Sequence, residues 1–258
     1  MIKIQNAFEH GKAFIAFVTG GDPTLEVTEQ LIPAMAEAGA DLIEIGVPFS
    51  DPIAEGVVIQ DANGRALSAG CTTDKLFDLV ARVAPKVNVP LVFLTYLNPI
   101  FTYGKEKFMR RCAESGISGL IIPDMPFEEK DELKSVCAGY GVDIISMIAP
   151  TSHERISMIA REASGFVYCV SSLGVTGVRG KITTDVAGMV QLVKAASGVP
   201  AAVGFGIAEP EQAKAMASLS DGAIVGSAIV KLVARYGKDC AGPVCDYIRS
   251  MKQAVLEA

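Results

Sequence analysis

The sequence predicts an α/β protein, a single (β/α)8 TIM barrel that spans residues 1–258, and three observations lead to this fold class. Eight short apolar segments alternate with longer amphipathic segments along the chain. No linker or low-complexity stretch divides the chain into two domains. The length of 258 residues agrees with the roughly 250 residues that one closed barrel of this type needs.

The short segments are predicted to be parallel strands. Continuous apolar runs such as LVFL and FVYCV are typical of strands that are buried on both faces, as in a parallel sheet. A doubly wound open sheet is the alternative topology for the same alternation. The predicted strands cover residues 14–19, 42–47, 91–96, 119–123, 143–148, 166–170, 201–204 and 223–225.

The amphipathic segments between them have the residues that begin and end helices. Gly39 and Gly116 each follow a helical pattern, and Pro210 stands where a first helical turn tolerates proline. Thr151 and Glu154 have the spacing of a capping box. An extra N-terminal helix is expected before the first strand. The predicted helices with clear ends cover residues 25–38, 73–83, 105–114, 156–161, 212–218 and 244–256.

Charge and hydropathy exclude several classes of function. The net charge is −6 and no basic run with interleaved aromatic residues occurs, so nucleic acid is not an expected partner. The N-terminus lacks the apolar region of a signal peptide. The longest uncharged run, 87–104, is interrupted by Pro90, Asn98 and Pro99, which is unsuitable for a membrane span. A cytoplasmic protein is therefore expected.

The six cysteines predict neither a metal site nor a disulfide framework. None of them forms a C-x-x-C pair, and Cys240 and Cys245 have no nearby histidine to complete a set of ligands. Reduced and mostly buried thiols are expected, and no metal is expected in this chain.

In a parallel barrel the reactive groups come from the carboxyl ends of the strands and the loops that follow. His10 and His153 lie away from those ends, so neither a paired-histidine metal site nor a triad-like nucleophile is predicted. No predicted strand ends on a lysine that could form a Schiff base. Carboxylates are the remaining candidates.

Glu44 is the strongest candidate, because it lies between Ile43 and Ile45 on a strand that should be buried. The charged form of a buried carboxyl group is unfavourable unless the group is paired. Glu44 is therefore expected either to have a perturbed pKa and a catalytic role, or to form a structural ion pair or hydrogen bond. Asp51 and Glu55 follow in a proline-containing loop. Each could instead act locally, Asp51 by capping the next turn and Glu55 by favouring a helix N-terminus.

Glycines after the last two strands predict an anion site. Gly206 follows strand 7, and Gly226 and Ser227 follow strand 8. Glycine lets backbone N–H groups approach an anion, and a short extra helix starting at Ser227 would direct its positive dipole end towards that anion. Many barrels bind phosphate with these two loops and such a helix.

A long segment follows strand 6, from Ser171 to Asp185, and contains Gly174, Gly177 and Gly180. This segment could be a lid over a site that excludes water or a disordered surface loop. Tyr168, just before it, could pack in the core or line a pocket.

Seven motifs follow one another from the first strand to the last helix. They are FVTGGDP (17–23), EIGVPFSDPIAEG (44–56), TYLNPIFTYG (95–104), IIPDMPFEE (121–129), YCVSSLGVTG (168–177), GFGI (204–207) and GSAIVK (226–231). In this order they resemble the tryptophan synthase α-subunit family, and EIGVPFSDP is the most specific of them. The resemblance implies a lyase that splits indole-3-glycerol phosphate into indole and glyceraldehyde 3-phosphate, in the last steps of tryptophan biosynthesis.

The resemblance also implies a role for individual residues. Glu44 would be the proton shuttle between the glycerol hydroxyl and indole C3, and Glu55 would bind the indole N–H. Tyr168 would line the pocket, and Thr176 would close towards the acidic loop. The implied phosphate-binding residues are Gly177, Gly206, Gly226 and Ser227. The implied apolar walls are Phe17, Leu94, Ile121 and Phe205.

By the same resemblance, no cofactor is expected in this chain. The expected partner is a β-subunit that carries pyridoxal phosphate and receives the indole within an α2β2 heterotetramer. Its docking surface would include the 48–51 loop and the lid. One alternative function is an allosteric activator of that β-subunit with little activity of its own. A second is an isomerase of the phosphoribosyl-barrel type, although both candidate carboxylates cluster at strand 2 rather than at opposite strand ends.

The sequence departs from the family pattern in two segments. Glu55 and Val57 stand where the family has aspartate and proline, and Ser172 stands where an arginine is common. Glutamate keeps the charge but adds a methylene, and a misplacement of about 1 Å can lower a rate roughly 10²-fold. An active enzyme is still expected.

Overall fold

The computed structural model describes residues 1–171, 185–204 and 206–258, and within them eight parallel strands close into a barrel in chain order. The last strand pairs in parallel with the first, which confirms the closed barrel and makes the open-sheet alternative wrong. All eight predicted strands are present. They are β1 (Ala13–Thr19), β2 (Leu42–Gly46), β3 (Leu91–Leu94), β4 (Ile117–Ile121), β5 (Asp143–Ile148), β6 (Val167–Val170), β7 (Ala201–Gly204) and β8 (Gly222–Val225).

Helices surround this barrel. Those of the described residues are α1 (Leu25–Glu37), α2 (Val57–Ser68), α3 (Thr73–Val83), α4 (Leu97–Tyr103), α5 (Lys105–Ser115), α6 (Asp131–Gly139), α7 (His153–Arg161), α8 (Val186–Ala196), α9 (Pro210–Leu219), α10 (Ser227–Tyr236) and α11 (Ala241–Leu256). Short 3-10 helices cover Ile4–Phe8, Ala84–Lys86, Phe127–Glu129 and Gly237–Asp239. The predicted extra N-terminal helix is the first of these 3-10 turns, and the predicted helix at Ser227 is α10.

Most helix ends follow the residues that predicted them. Gly116 ends α5 in the left-handed region, at a φ of 93° that favours glycine. Pro210 opens α9 as its first residue. The capping box predicted at Thr151 is wrong, because α7 begins at His153 and the Ser152 hydroxyl accepts the N–H of Arg155 at 3.3 Å.

Strand alternation divides the apolar residues into two layers. Residues such as Phe14 and Ile43 face the helices and form the main core, whereas Ile15 and Val92 face the barrel axis. Ile4, in the N-terminal 3-10 helix, packs into the axial cluster and closes the amino end of the barrel. Its close approach depends on Gly119, where an added Cβ would lie 2.7 Å from Ile4 Cδ1.

β5 is less covered than the other strands. The prediction of burial on both faces does not hold at Ile144 and Ser146, which are half-buried. The flanking helices α6 and α7 are nine residues each, which limits the area that they cover. All six cysteines are buried and unpaired, as expected. Among the described helices, none has the length and apolar character that a membrane span requires.

Candidate functional site

A cavity of about 720 Å³, partly open to solvent, lies at the carboxyl ends of the strands. This is the end at which barrel enzymes carry their active sites. Eight residues that the sequence analysis assigned to the site line it together, namely Phe17, Glu44, Glu55, Leu94, Tyr168, Gly206, Gly226 and Ser227. The remaining lining residues are Ala54, Ile59, Pro123, Met147, Ile207 and Ile224.

Glu44 reaches the cavity from β2 because strand alternation turns it towards the barrel axis, between Phe17 on β1 and Val92 on β3. The residue is 1% exposed, and its Oε1 atom has no hydrogen-bond partner among the described residues. Burial alone raises the pKa of Glu44 to about 8. The carboxyl group can therefore give up and take back a proton near neutral pH. No ion pair of the described residues involves it, which disfavours the structural interpretation.

Glu55 lies in the loop between β2 and α2 and is also buried. Its Oε2 atom accepts a hydrogen bond from Asn63 Nδ2 at 2.7 Å. Burial raises the pKa of Glu55, and hydrogen bonds from Asn63 and from the Tyr96 hydroxyl act in the opposite direction. Glu55 therefore has a hydrogen-bonded carboxyl group, whereas the Oε1 atom of Glu44 has no such partner among the described residues.

Glycines at the strand ends give the pocket its aromatic walls. A Cβ at Gly46 would lie 2.7 Å from Phe17 Cζ, and a Cβ at Gly204 would lie 2.5 Å from the Tyr168 hydroxyl. Real Cβ atoms do not approach so closely, so these glycines make room for the two rings. Burial, together with the nearby Glu44 charge, raises the pKa of Tyr168 well above its ordinary value.

The amino end of α10 opens on the same cavity. Its first backbone hydrogen bond runs from the Val230 N–H to the Gly226 carbonyl at 3.1 Å, so the N–H groups of residues 227–229 point out of the helix end. Gly206, also in the lining, has a φ of 80°, a conformation that favours glycine. These backbone donors suit an anion, and they supply local positive potential in a chain of net charge −6.

Ile121 and Asp51 do not have the positions that the sequence predicted. Ile121 is fully buried in the axial cluster and is not among the lining residues, because Pro123, one alternation step nearer the carboxyl end, occupies the wall. Asp51 is exposed and accepts a hydrogen bond from Ser50, and α2 is capped by Gly56, so Asp51 does not cap that helix. The predictions for Ser172, Gly174, Thr176, Gly177, Gly180 and Phe205 lie outside the described residues.

Several residues at the site were not predicted from the sequence. Met147 and Ile224 lie on the axis-facing side of their strands, so the alternation rule could have found them. No sequence pattern identified Asn63 and Tyr96 as partners of Glu55, because neither lies in the loop that carries Glu55. Among the described residues, no group of three or more His, Cys, Asp or Glu side chains is arranged to hold a metal ion.

Comparisons with known proteins agree with this architecture. A family model described as tryptophan synthase alpha chain matches residues 4–255. The tryptophan synthase alpha chain of Lactiplantibacillus plantarum is 48% identical over 99% of this chain and 97% of its own. That of Lacticaseibacillus casei is 45% identical over 99% of this chain and 96% of its own.

Solved structures are similar over the same length. The alpha subunit of tryptophan synthase from Legionella pneumophila covers 100% of both chains at 34% identity, with a TM-score of 0.90. A tryptophan synthase structure from Mycobacterium tuberculosis covers 98% of both chains at 30% identity, with a TM-score of 0.89.

Proposed function

The chain belongs to the tryptophan synthase alpha chain family and is a carbon–carbon lyase, and we propose that Glu44 and Glu55 carry the acid–base steps by which it cleaves indole-3-glycerol phosphate. The observation that carries the proposal is the buried carboxyl group of Glu44, whose Oε1 atom has no hydrogen-bond partner in the described part of the chain, in a cavity that α10 also faces. One cavity thus offers an acid–base group and an anion site for the two ends of the substrate.

The steps balance with one shuttling proton. Protonated Glu44 gives its proton to indole C3, which leaves positive charge on the ring nitrogen. The Glu44 carboxylate then takes the proton of the adjacent side-chain hydroxyl, the C3–carbon bond breaks, and its electron pair returns to the ring. Indole and glyceraldehyde 3-phosphate are released, and Glu44 is protonated again. General acid–base catalysis of this kind supplies roughly 10²–10⁴-fold.

Glu55 has a different role in the proposed reaction. Its held carboxylate accepts the ring N–H and stabilises the positive charge that develops on the nitrogen. Phe17, Leu94 and Tyr168 enclose the aromatic ring. Gly206, Gly226 and Ser227 bind the phosphate through backbone N–H groups and the α10 dipole. Thr176, Gly177 and Phe205 keep the roles that the family resemblance implies, as proposals.

We further propose that the chain acts in the cytoplasm as one domain, residues 1–258, in an α2β2 complex with a β-subunit that carries pyridoxal phosphate. Ile53 and Val57, on either side of the cavity-lining Ala54 and Glu55, are 74% and 70% exposed. Large apolar side chains exposed together are typical of a protein interface. Their position next to the cavity is consistent with transfer of indole to the partner.

The test is to incubate the purified protein with indole-3-glycerol phosphate, with and without a β-subunit, and to measure indole. We expect indole in both reactions. Glu44→Gln should abolish turnover while substrate still binds, because the amide keeps the shape but cannot transfer the proton. A Glu44→Gln protein with near wild-type rate would disprove the role of Glu44. Negligible indole even in the complex, with a more active partner, would favour the allosteric activator.

A further inference from the structure

Two side chains from different elements hold the Glu55 carboxyl group. Asn63, on α2, donates from Nδ2 to Glu55 Oε2 at 2.7 Å. Tyr96, between β3 and α4, has its hydroxyl near the same carboxyl group, where it lowers the pKa of Glu55. Asn63 is 3% exposed and Tyr96 is 1% exposed, so both contacts are shielded from water.

The direction of the Tyr96 hydrogen bond follows from its second contact. The Tyr96 hydroxyl oxygen accepts the backbone N–H of Ala54 at 3.2 Å. A phenol has one hydrogen, and the acceptor contact with Ala54 leaves that hydrogen free to be donated to Glu55. Tyr96 therefore holds the backbone beside Glu55 and has its hydrogen available for the carboxyl group, whose pKa it lowers.

Both partners are themselves held in place. Arg65, two residues after Asn63 on α2, forms a bidentate ion pair with Asp22, at 2.8 Å for each contact, and Asp22 is 1% exposed. The residue after Tyr96, Leu97, donates its backbone N–H to Asp124 at 3.0 Å. These contacts attach α2 and the start of α4 to the barrel, so the two donors have little freedom to turn away.

We propose that Asn63 and Tyr96 are positioning residues that hold the Glu55 carboxylate ionised and directed at the substrate ring nitrogen. This inference rests on the proposed function of Glu55 and deepens it. Neither residue lines the cavity, so each acts through Glu55 rather than on the substrate.

The physical reason is the kind of hydrogen bond that each residue makes. An amide N–H and a phenol O–H are donors, and donors stabilise the ionised form of a carboxyl group. The other titratable groups nearby are Glu44 in the same cavity and Asp124 near Tyr96, and both are acids. The first turn of α10, which packs against α2, contributes no acidic side chain. Without the two donors, burial would favour the neutral form of Glu55, which cannot accept the ring N–H.

The inference is tested by the dependence of kcat/KM on pH in Asn63→Leu and Tyr96→Phe, assayed as the whole chain in its complex with the β-subunit. Each variant removes one donor and keeps a similar volume. We expect the acidic limb of the profile to move to higher pH, by about one pH unit for each donor lost. At pH values below the acidic limb this corresponds to a loss of up to roughly tenfold, and the loss disappears as pH rises above the limb.

Asn63→Asp is the second variant, because its nearly isosteric side chain keeps the test usable if Asn63→Leu fails to fold. A second carboxylate next to Glu55 disfavours its ionisation, so the acidic limb should move further than in Asn63→Leu. Asp61→Ala is the matched control, an exposed position on the same helix, and its profile should equal that of the wild type. A residue with a purely structural role would lower activity at every pH and leave the limb where it is.

Glu55→Gln separates this inference from the proposed function. If Glu55→Gln keeps the wild-type rate, the role of Glu55 in the cleavage is wrong. If Glu55→Gln is inactive but the acidic limb stays in place in Asn63→Asp and Tyr96→Phe, the role of Glu55 stands and only the positioning inference is overturned.

Discussion

Glu44 and Glu55 are the two buried carboxyl groups of one cavity, and they differ in what surrounds them. Glu44 has an unpaired Oε1 atom among apolar neighbours, whereas Glu55 is held by Asn63 and Tyr96. Burial raises the pKa of both groups, and among the residues that the structure describes only Glu55 has donors that oppose this effect. In the proposed reaction, hydrogen-bond partners therefore distinguish the group that transfers the proton from the group that stabilises charge, since the two are similarly buried.

We expect the largest effect when the Glu44 side chain, rather than the Glu55 side chain, is shortened by one methylene. Glu44→Asp shortens the side chain by one methylene and moves its carboxyl group away from the substrate. A displacement of about 1 Å should lower kcat roughly 10²-fold. Glu55→Asp keeps the charge next to the same donors, so its kcat should fall by less than about tenfold. Steady-state rates of indole release measure both. Equal losses in the two variants would contradict the comparison.

The next effect is on stability. The Glu44 pKa lies at about 8 in the folded chain and near 4.5 in the unfolded chain, so between these values only the folded chain keeps the proton. The free energy of unfolding should therefore fall as pH rises through this range, by at most about 5 kcal/mol. Glu44→Gln cannot ionise and therefore lacks this loss of stability. The difference in the free energy of unfolding between Glu44→Gln and the wild type should increase, in favour of the variant, from pH 5 to pH 9.

Urea unfolding at a series of pH values measures this advantage. Glu55→Gln is the matched comparison, because the donors at Glu55 oppose the shift and should make its pH-dependent gain smaller. A Glu44→Gln advantage that is the same at pH 5 and pH 9 would show that Glu44 ionises normally in the folded chain.

A third effect concerns the basic limb of the rate profile. Glu44 must begin the reaction protonated, so kcat/KM of the free enzyme should decline as pH rises through about 8. The variants of Asn63 should leave this limb in place, since they act on Glu55. A basic limb that moves together with the acidic limb in those variants would mean that the two groups titrate as one unit.

The smallest expected effect comes from a carboxyl group that is paired but exposed. The hydrogen bond from Arg155 lowers the pKa of Glu128 to about 2. Arg155→Ala should return this pKa towards its ordinary value, because the bidentate partner is gone. Water screens the pair, so the urea midpoint should hardly change. NMR titration and urea unfolding measure the two quantities, and a large fall in the midpoint would contradict the role given to burial.

Local patterns in the sequence predicted much of the site. The apolar residues around Glu44 placed it on a buried strand, and period-2 alternation turned it towards the barrel axis. Gly226 and Ser227 predicted the amino end of α10, because glycine followed by a helical pattern after a strand is readable within a few residues. Ile121 was placed in the wall although it lies one alternation step too deep, since the height of a residue along the axis depends on the stagger of neighbouring strands.

Local patterns were sufficient to predict the eight strands, the burial of Glu44 and the position of Gly226 at the start of a helix, because each follows from residues within one segment. In contrast, the contacts of Asn63 and Tyr96 around Glu55 depend on the tertiary structure. Asn63 lies eight residues from Glu55, and Tyr96 meets Ala54 across 42 residues. Closure of the barrel brings these side chains together, and hydrogen bonds between separate elements depend on that closure rather than on any local pattern.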